Sequence, residues 1–276
     1  MSDEPLLYVY AVVRSADVDG QPADPPPDVT LGGGLATVEH RGLTAVVEQV
    51  PAVDFDEAPL RERLEDLDWL ATVARAHHGV VAAAGRRTTT VPLRLATVCR
   101  GEPGVRRLLA EGERGLSEAL GRLAGAHEWG VKLYADETPG RTAPAASAPD
   151  APGPTGTAPS DGGGSGRDHP RPRPGERHER QNADDTAART ARELHETLAG
   201  TATEAILHPL QQTRLSRAPG RNVLNAAYLV PDGEQQAFLD AVPRTDDTGP
   251  GLRVEITGPW VPSSFTRTAS DEEPEW

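Results

Sequence analysis

Four short apolar runs near the start of the chain predict β-strands. Residues 6–13, LLYVYAVV, combine aliphatic and aromatic side chains in the way a buried strand does. Residues 35–40 and 43–50 flank a two-residue Arg-Gly turn, and this arrangement predicts a hairpin. Residues 92–98 predict a further strand, because a proline such as Pro92 is tolerated at the start or the edge of a sheet.

The apolar spacing then changes to that of helices. From Leu60 to about Gly85 the apolar positions recur every three or four residues, which predicts one long amphipathic helix. Residues 103–123 have the same spacing, start with a proline and are followed by Gly125, as helices commonly are. We therefore expect a small N-terminal domain of mixed α+β class over residues 1–126.

The second half of the chain predicts six elements. They are a strand at 129–134, a helix at 184–208, a hairpin of 211–217 with 223–230, a helix at 233–242 and a strand at 252–257. The resulting order, β-α-β-β-α-β, is that of the ferredoxin-like motif. The predicted fold class is thus α+β in two domains, with a ferredoxin-like domain over residues 127–268.

One long segment inside the second domain lacks the side chains of a core. Residues 139–182 are rich in Pro, Gly, Ala and Ser and contain no aliphatic side chain larger than alanine. Such a segment cannot bury enough apolar surface to offset its ordering entropy, so we expect a disordered insertion. The acidic residues 269–276 are expected to form a frayed tail.

Charge narrows the possible partners. The chain has 28 Lys and Arg against 42 Asp and Glu, a formal net charge of −14. A protein that tracks phosphates needs the opposite sign, so we expect no nucleic-acid partner. The acidic start is unlike a secretory signal, and no run reaches the ~18 apolar residues that indicate a spanning helix. We therefore expect no membrane insertion and a cytoplasmic location.

The residues that most often carry chemistry do not form a recognisable set. His77 and His78 are adjacent, so on a helix they point about 100° apart and are expected to be structural rather than to share a metal. Cys99 is the single cysteine, which leaves no intrachain disulfide and no multi-cysteine metal site, and we expect its thiol to pack as a small hydrophobe. The sequence predicts no catalytic, cofactor-binding or metal-binding residue.

Taken in order, several of these segments resemble the gas vesicle proteins of the GvpL/GvpF family. The similar positions are residues 7–13, Trp69 with Ala76 and His77, residues 91–98, 128–133, 224–230 and 257–260, and Pro262, Ser264 and Phe265. The chain departs from the family at Leu95-Ala96, where members usually have Phe-Gly, and at 261–265, where they usually have Pro-Pro-Tyr-Ser-Phe.

The resemblance implies a function without catalysis or cofactors. It implies an assembly or minor structural protein of the gas vesicle that binds the small hydrophobic shell protein and other gas vesicle accessory proteins. Such a protein would aid nucleation of the shell or prevent its subunits from aggregating, because unassembled apolar surfaces and strand edges need cover.

Two groups of residues are the predicted interaction sites. The candidates are Pro92, Leu93, Arg94, Leu95, Trp260 and Phe265, because exposed aromatic residues often anchor interfaces. The alternative for Trp260 is that it packs in the second core, since tryptophan is highly buried on average. The alternative function is an enzyme or a ligand-sensing module on a ferredoxin-like, dimeric α/β barrel scaffold, because one fold supports many functions.

Overall fold

Two antiparallel sheets with helices against them make up the part of the chain that can be described. A computed structural model of the protein describes residues 4–18, 29–136, 174–211, 220–244 and 248–266. Within these ranges the elements alternate between strands and helices, and each sheet is built from one half of the chain. The predicted α+β class is confirmed.

The first sheet is built around a fully buried strand. It contains β1 (Leu6–Arg14), β2 (Leu35–His40), β3 (Leu43–Val50), β4 (Val91–Pro92) and β5 (Val98–Arg100). Its order is β2-β3-β1-β4, and β5 also pairs with β1. The predicted hairpin is confirmed: β2 and β3 meet at Arg41 and Gly42, which have φ angles of 48° and 81°. Glycine adopts such positive φ readily, which suits this tight turn.

The two faces of β1 pack against different helices. Leu7, Val9 and Val12 join the core beside α4 (Gly101–Arg122), a helix that agrees with the predicted 103–123. Tyr8 and Tyr10 point to the other face, where α3 (Leu67–Gly85) lies. Because both faces are covered, β1 is buried from Leu6 to Val13 and does not alternate between buried and exposed residues.

The prediction of one helix from Leu60 to Gly85 is wrong at its start. The structure has two helices in this region, α2 (Glu57–Arg63) and α3, and a one-turn helix, α1 (Ala52–Phe55), precedes them. Asp56 accepts a hydrogen bond from the Glu57 N–H, and Asp66 accepts from Asp68 N–H and Trp69 N–H. Each aspartate therefore caps a new helix, which explains the breaks that apolar spacing alone did not reveal.

The predicted strand 92–98 is also wrong in its middle. Residues 93–97 separate β4 from β5, and the Thr97 N–H donates to the Arg94 carbonyl to close a turn. Ala96 within this turn has a φ of 63°. A strand cannot contain that left-handed conformation, so the apolar run is divided into two short strands.

The second sheet contains β6 (Ala126–Ala135), β7 (Glu204–Leu207), β8 (Arg221–Pro231) and β9 (Leu252–Trp260). Its order is β7-β8-β6-β9, with antiparallel pairing at every step. Helices α5 (Pro174–Ala199) and α6 (Gln235–Ala241) contribute side chains to the core on one face. Along the chain the elements follow the predicted order β-α-β-β-α-β.

Several boundaries in this half differ from the prediction. The helix predicted at 184–208 runs instead from Pro174 to Ala199, ends before Gly200 and is followed by strand β7. Residues 174–182 of the predicted disordered insertion are therefore helical, since proline is tolerated at the first helical position and Glu, Arg and Gln are strong helix formers. The predicted hairpin of 211–217 with 223–230 is wrong in its first strand, because β8 pairs with β7 instead and Gln211 has no regular structure. Residues 212–217, 139–173 and the tail 269–276 lie outside the described residues.

One of the apolar core clusters contains side chains from both halves of the chain. Leu109, Leu116 and Leu120 of α4 lie in the same buried cluster as Ala227 and Leu229 of β8. Helix α4 is therefore in contact with side chains from both sheets. The domain limits of 1–126 and 127–268 remain a prediction.

Candidate functional site

The predicted interaction segment around Pro92 lies at the edge of the first sheet and is only partly accessible. Pro92 is buried, Leu93 is half-buried against the core, and Arg94 and Leu95 are exposed. The Leu93 N–H donates to the Tyr10 carbonyl over 3.0 Å, which continues the contact with β1 for one residue. After that point the backbone turns outward, so Leu95 becomes the accessible apolar side chain of the segment.

Two buried side chains hold this turn in place. The Ala96 N–H donates to the Tyr8 hydroxyl over 3.0 Å, and the same hydroxyl lies 3.0 Å from Nδ1 of His77. His77 also forms a hydrogen bond with the backbone of Leu93. The segment 93–97 is therefore attached through side chains to both β1 and α3.

The environment of this pair keeps both side chains uncharged. Burial raises the pKa of the Tyr8 hydroxyl to about 12. Burial, with a smaller contribution from the neighbouring His78, lowers the pKa of His77 to about 4. A neutral His77 accepts a hydrogen bond with one ring nitrogen and donates with the other, as these two contacts require.

A buried carboxyl group lies beside this pair, on β3 directly opposite Tyr8. Glu48 of β3 is fully buried and accepts three hydrogen bonds, from the Tyr10 hydroxyl at 2.5 Å, the Leu31 N–H at 3.0 Å and the Gly33 N–H at 2.6 Å. Burial and the adjacent carboxylate raise the pKa of Tyr10. Glu48 thus holds the chain before β2 against β3. The signal in the sequence is a single glutamate within the apolar run of residues 43–50.

The two predicted aromatic anchors have opposite environments. Trp260, at the end of β9, is 54% exposed, so the alternative that it packs in the second core does not describe this structure. Phe265 is 2% exposed and lies in the core cluster shared by the two halves, and Arg122 donates to its carbonyl over 2.7 Å. Phe265 therefore does not lie on the surface with Trp260, because it fills the space beside α4.

Trp260 and the turn at 93–97 are both supported by α3. Val261 packs directly on Gly85 at the end of that helix, where an added Cβ would lie 2.1 Å from Val261 Cγ2. His77, two turns earlier on α3, holds the Leu93 backbone. The accessible candidates are consequently Leu95 and Trp260, with Arg94 beside Leu95.

A second polar cluster, which was not predicted from the sequence, anchors the chain after β9. Glu128 accepts hydrogen bonds from both the N–H and the hydroxyl of Ser264, at 2.8 Å and 2.7 Å, and His208 Nε2 lies 3.3 Å from the same hydroxyl. The Ser264 hydroxyl donates to the carboxylate, and the carboxylate does not contact the histidine. A catalytic triad needs the base to take the serine proton and the acid to orient the base, so this cluster has a structural role. We call the contact of Glu128 with Ser264 the clasp.

Close packing explains the glycine in the Thr-Gly-Pro-Trp segment. Gly258 has a φ of 134°, and an added Cβ would lie 2.9 Å from the Glu128 carbonyl oxygen and 3.0 Å from the ring of Trp129. A side chain at this position would be both strained and in collision with the neighbouring strand. Glycine at this position therefore lets β9 stay paired with β6 where the register shifts, just before the contact of Ser264 with Glu128.

The two adjacent histidines and the cysteine do not form a metal-binding or reactive site among the described residues. His77 is buried and His78 exposed, and no group of three or more His, Cys, Asp or Glu among the described residues is placed to hold a metal ion. Cys99 is half-buried, and burial raises the pKa of its thiol despite the opposing effect of Arg107. None of the helices within the described ranges is both long and apolar enough to cross a membrane.

Comparisons with known proteins agree with the resemblance in the sequence. The family model described as "Gas vesicle synthesis protein GvpL/GvpF" matches residues 6–267. Gas vesicle protein L of Streptomyces sp. (strain CB03234) is 44% identical over 283 residues, covering 99% of this chain and 97% of that protein.

Two solved structures share the fold. The crystal structure of the gas vesicle protein GvpF from Anabaena sp. PCC7120 has a TM-score of 0.58 at 18% identity, and the match covers 98% of this chain and 100% of that chain. GvpF from Microcystis aeruginosa has a TM-score of 0.55, also at 18% identity, over 95% of this chain and 99% of that chain. At this identity the structural similarity concerns the fold, namely mixed α+β with antiparallel sheets.

Proposed function

This chain belongs to the GvpL/GvpF family of gas vesicle synthesis proteins, and on that premise we propose that it is a gas vesicle accessory protein that binds the small hydrophobic shell protein. Binding would keep shell subunits from aggregating before assembly and would bring them together for nucleation. Other accessory proteins of the vesicle are the further partners in this proposal, and the cytoplasm is where it acts.

The observation that carries the proposal is the exposure of Trp260 and Leu95. Trp260 is 54% exposed although it ends a strand of the second core, and Leu95 is 38% exposed at the tip of a turn held by buried hydrogen bonds. Rigidly mounted apolar side chains lose little entropy on binding, and a tryptophan is among the most frequent interface anchors. A shell subunit with an apolar surface is a partner suited to such anchors.

We also propose that residues 127–268 form a ferredoxin-like domain and residues 1–126 a separate α+β domain. The antiparallel order β7-β8-β6-β9 and the sequence of elements support the first assignment. The first sheet is built from strands before residue 126 alone, which supports the division. The core shared through α4 supports a fixed arrangement of the two domains.

Co-expression with the major shell protein tests the binding proposal. We expect the shell protein to stay soluble and to co-purify with this chain, and the complex to survive high salt, because apolar contacts are not screened by ions. The variants Trp260→Ala and Leu95→Ser are expected to lose capture.

Leu207→Ser on β7 is the matched control, because Leu207 is also an exposed leucine but lies on the far edge of the second sheet. Retention of capture by this control would locate binding at Trp260 and Leu95. A shell protein that aggregates unchanged beside the wild-type chain would refute direct binding. Equal loss in all three variants would refute the location.

A further inference from the structure

A second exposed apolar surface lies at the start of α3, away from Trp260. Val53 of α1 is 74% exposed and Leu67 of α3 is 77% exposed, and Leu64 between α2 and α3 is also exposed. Val53 lines a surface depression together with Pro59, Glu62, Arg63 and Asp66. We call the exposed residues of α1, α2 and the first turn of α3 the acidic tip.

The acidic tip is anchored from inside, so its outer side chains are presented on a fixed frame. Phe55, Leu60 and Trp69 of the same elements pack into the core beside Tyr8, and the Phe55 and Trp69 rings lie 5.4 Å apart. Asp66 caps α3 through the N–H groups of Asp68 and Trp69. The exposure of Val53 and Leu67 is therefore a property of the fold and does not come from a loosely attached loop.

The net charge around these apolar side chains is negative, although Arg100 from outside the segment pairs with Asp56. Residues 52–68 contain seven acidic residues and two arginines, which gives a net charge of −5. Both arginines are engaged within the tip, Arg61 with Glu57 and Arg63 with Asp54. Glu62, Glu65 and Asp68 have no ion pair among the described residues.

We propose that the acidic tip is a docking surface for a basic amphipathic helix of a partner protein. Leucine-type side chains of the helix would cover Val53, Leu64 and Leu67, and its lysines or arginines would pair with Glu62, Glu65 and Asp68. Helix-in-groove recognition combines an apolar stripe with flanking charges in this way. Because the chain carries a net charge of −14, a second copy is repelled from this surface while a cationic helix is attracted.

The probe for the test is a synthetic Leu/Lys peptide with amphipathic helical spacing, titrated into the full-length protein by calorimetry or fluorescence anisotropy. We expect saturable binding that weakens as salt is added. The same peptide with Gln for Lys is expected to bind about tenfold more weakly or worse, since the ion pairs are lost.

Two variants and a matched control locate the binding. Val53→Ser with Leu67→Ser removes the apolar contacts, and Glu62→Gln with Glu65→Gln and Asp68→Asn removes the free charges; each set is expected to weaken binding about tenfold. The control is Asp185→Asn with Glu193→Gln and Glu196→Gln on α5, which removes the same charge from an exposed helix elsewhere. Thermal unfolding of each variant shows whether it is still folded.

The proposal is overturned if the α5 control weakens binding as much as the tip variants, because net charge alone would then explain it. It is also overturned if the peptide does not bind, or if the tip variants abolish a concentration-dependent dimer seen by sedimentation, which would assign the surface to a second copy. Capture of the shell protein depends on Trp260 and Leu95, so it tests the proposed function independently of this surface.

Discussion

Replacing Ala96 by glycine should stabilise the protein, although glycine usually destabilises. Ala96 has a φ of 63° in the turn between β4 and β5. A left-handed conformation costs a residue with a Cβ about 1–2 kcal/mol, because the Cβ approaches the following carbonyl oxygen. The family resemblance points the same way, since members usually have glycine at this position.

The expected gain is the difference between two opposing effects. Glycine relieves the strain of about 1–2 kcal/mol but loses about 0.5–1 kcal/mol more backbone entropy on folding than alanine does. The net free energy of unfolding should rise by about 0.5–1 kcal/mol, less the small contribution of the half-buried methyl group. The hydrogen bond from the residue 96 N–H to Tyr8 is retained in Ala96→Gly.

Thermal or urea unfolding of three variants measures this effect. Ala71→Gly on the exposed face of α3 is the control and should lose about 0.5–1 kcal/mol, because its φ is that of an ordinary helix. Ala96→Val should lose about 1–3 kcal/mol, because a β-branched residue is strained further at positive φ. If Ala96→Gly destabilised the protein as much as Ala71→Gly does, the left-handed turn would be refuted.

Three further predictions follow from the buried contacts. Stability should fall by up to about 3 kcal/mol as the pH drops from 6.5 toward 4, because the unfolded state binds a proton that the folded state, with the pKa of His77 lowered to about 4, does not bind. Urea unfolding across this range should show a smaller loss in His77→Gln and an unchanged loss in His178→Gln, the control on the exposed part of α5. Glu48→Ala should cost about 3 kcal/mol by leaving the buried Tyr10 hydroxyl and the partly buried N–H groups of Leu31 and Gly33 without an acceptor. Hydrogen exchange at Leu31 and Gly33 should accelerate, whereas protection that stays at wild-type level would contradict the role assigned to Glu48. Phe265→Ala should lose about 3–5 kcal/mol in thermal unfolding and Trp260→Ala less than about 1 kcal/mol, and equal losses would show that the two environments are assigned incorrectly.

Hydropathy patterns located most elements of the fold. The hairpin of β2 and β3, strand β1 and helix α4 lie where the apolar runs and the apolar spacing predict them. The failures occur where a local contact overrides the pattern. Asp66 starts a new helix within the predicted apolar stripe, and a positive φ at Ala96 divides one apolar run into two strands.

The candidate site was predicted less completely than the fold. The exposed Leu95 and Trp260 belong to the predicted set, but Phe265 of the same set is buried, and the clasp of Glu128 with Ser264 was not predicted. Exposure depends on which elements cover a residue, and residues 128 and 264 are far apart in the sequence. No periodicity within a single segment contains that information.

The sequence by itself determined the α+β class, the order of most strands and helices, the acidic charge and the family to which the chain belongs. These properties depend on residue type and spacing within short segments, or on motifs that stay in order along the chain. The tertiary structure alone decided that α4 packs in a core cluster with residues from both sheets and that His77 and Tyr8 hold the turn at Ala96. It also decided that Trp260 is exposed while Phe265 is buried. The physical reason is that burial and hydrogen-bond partners arise from contacts between distant segments, which form only when the chain is folded.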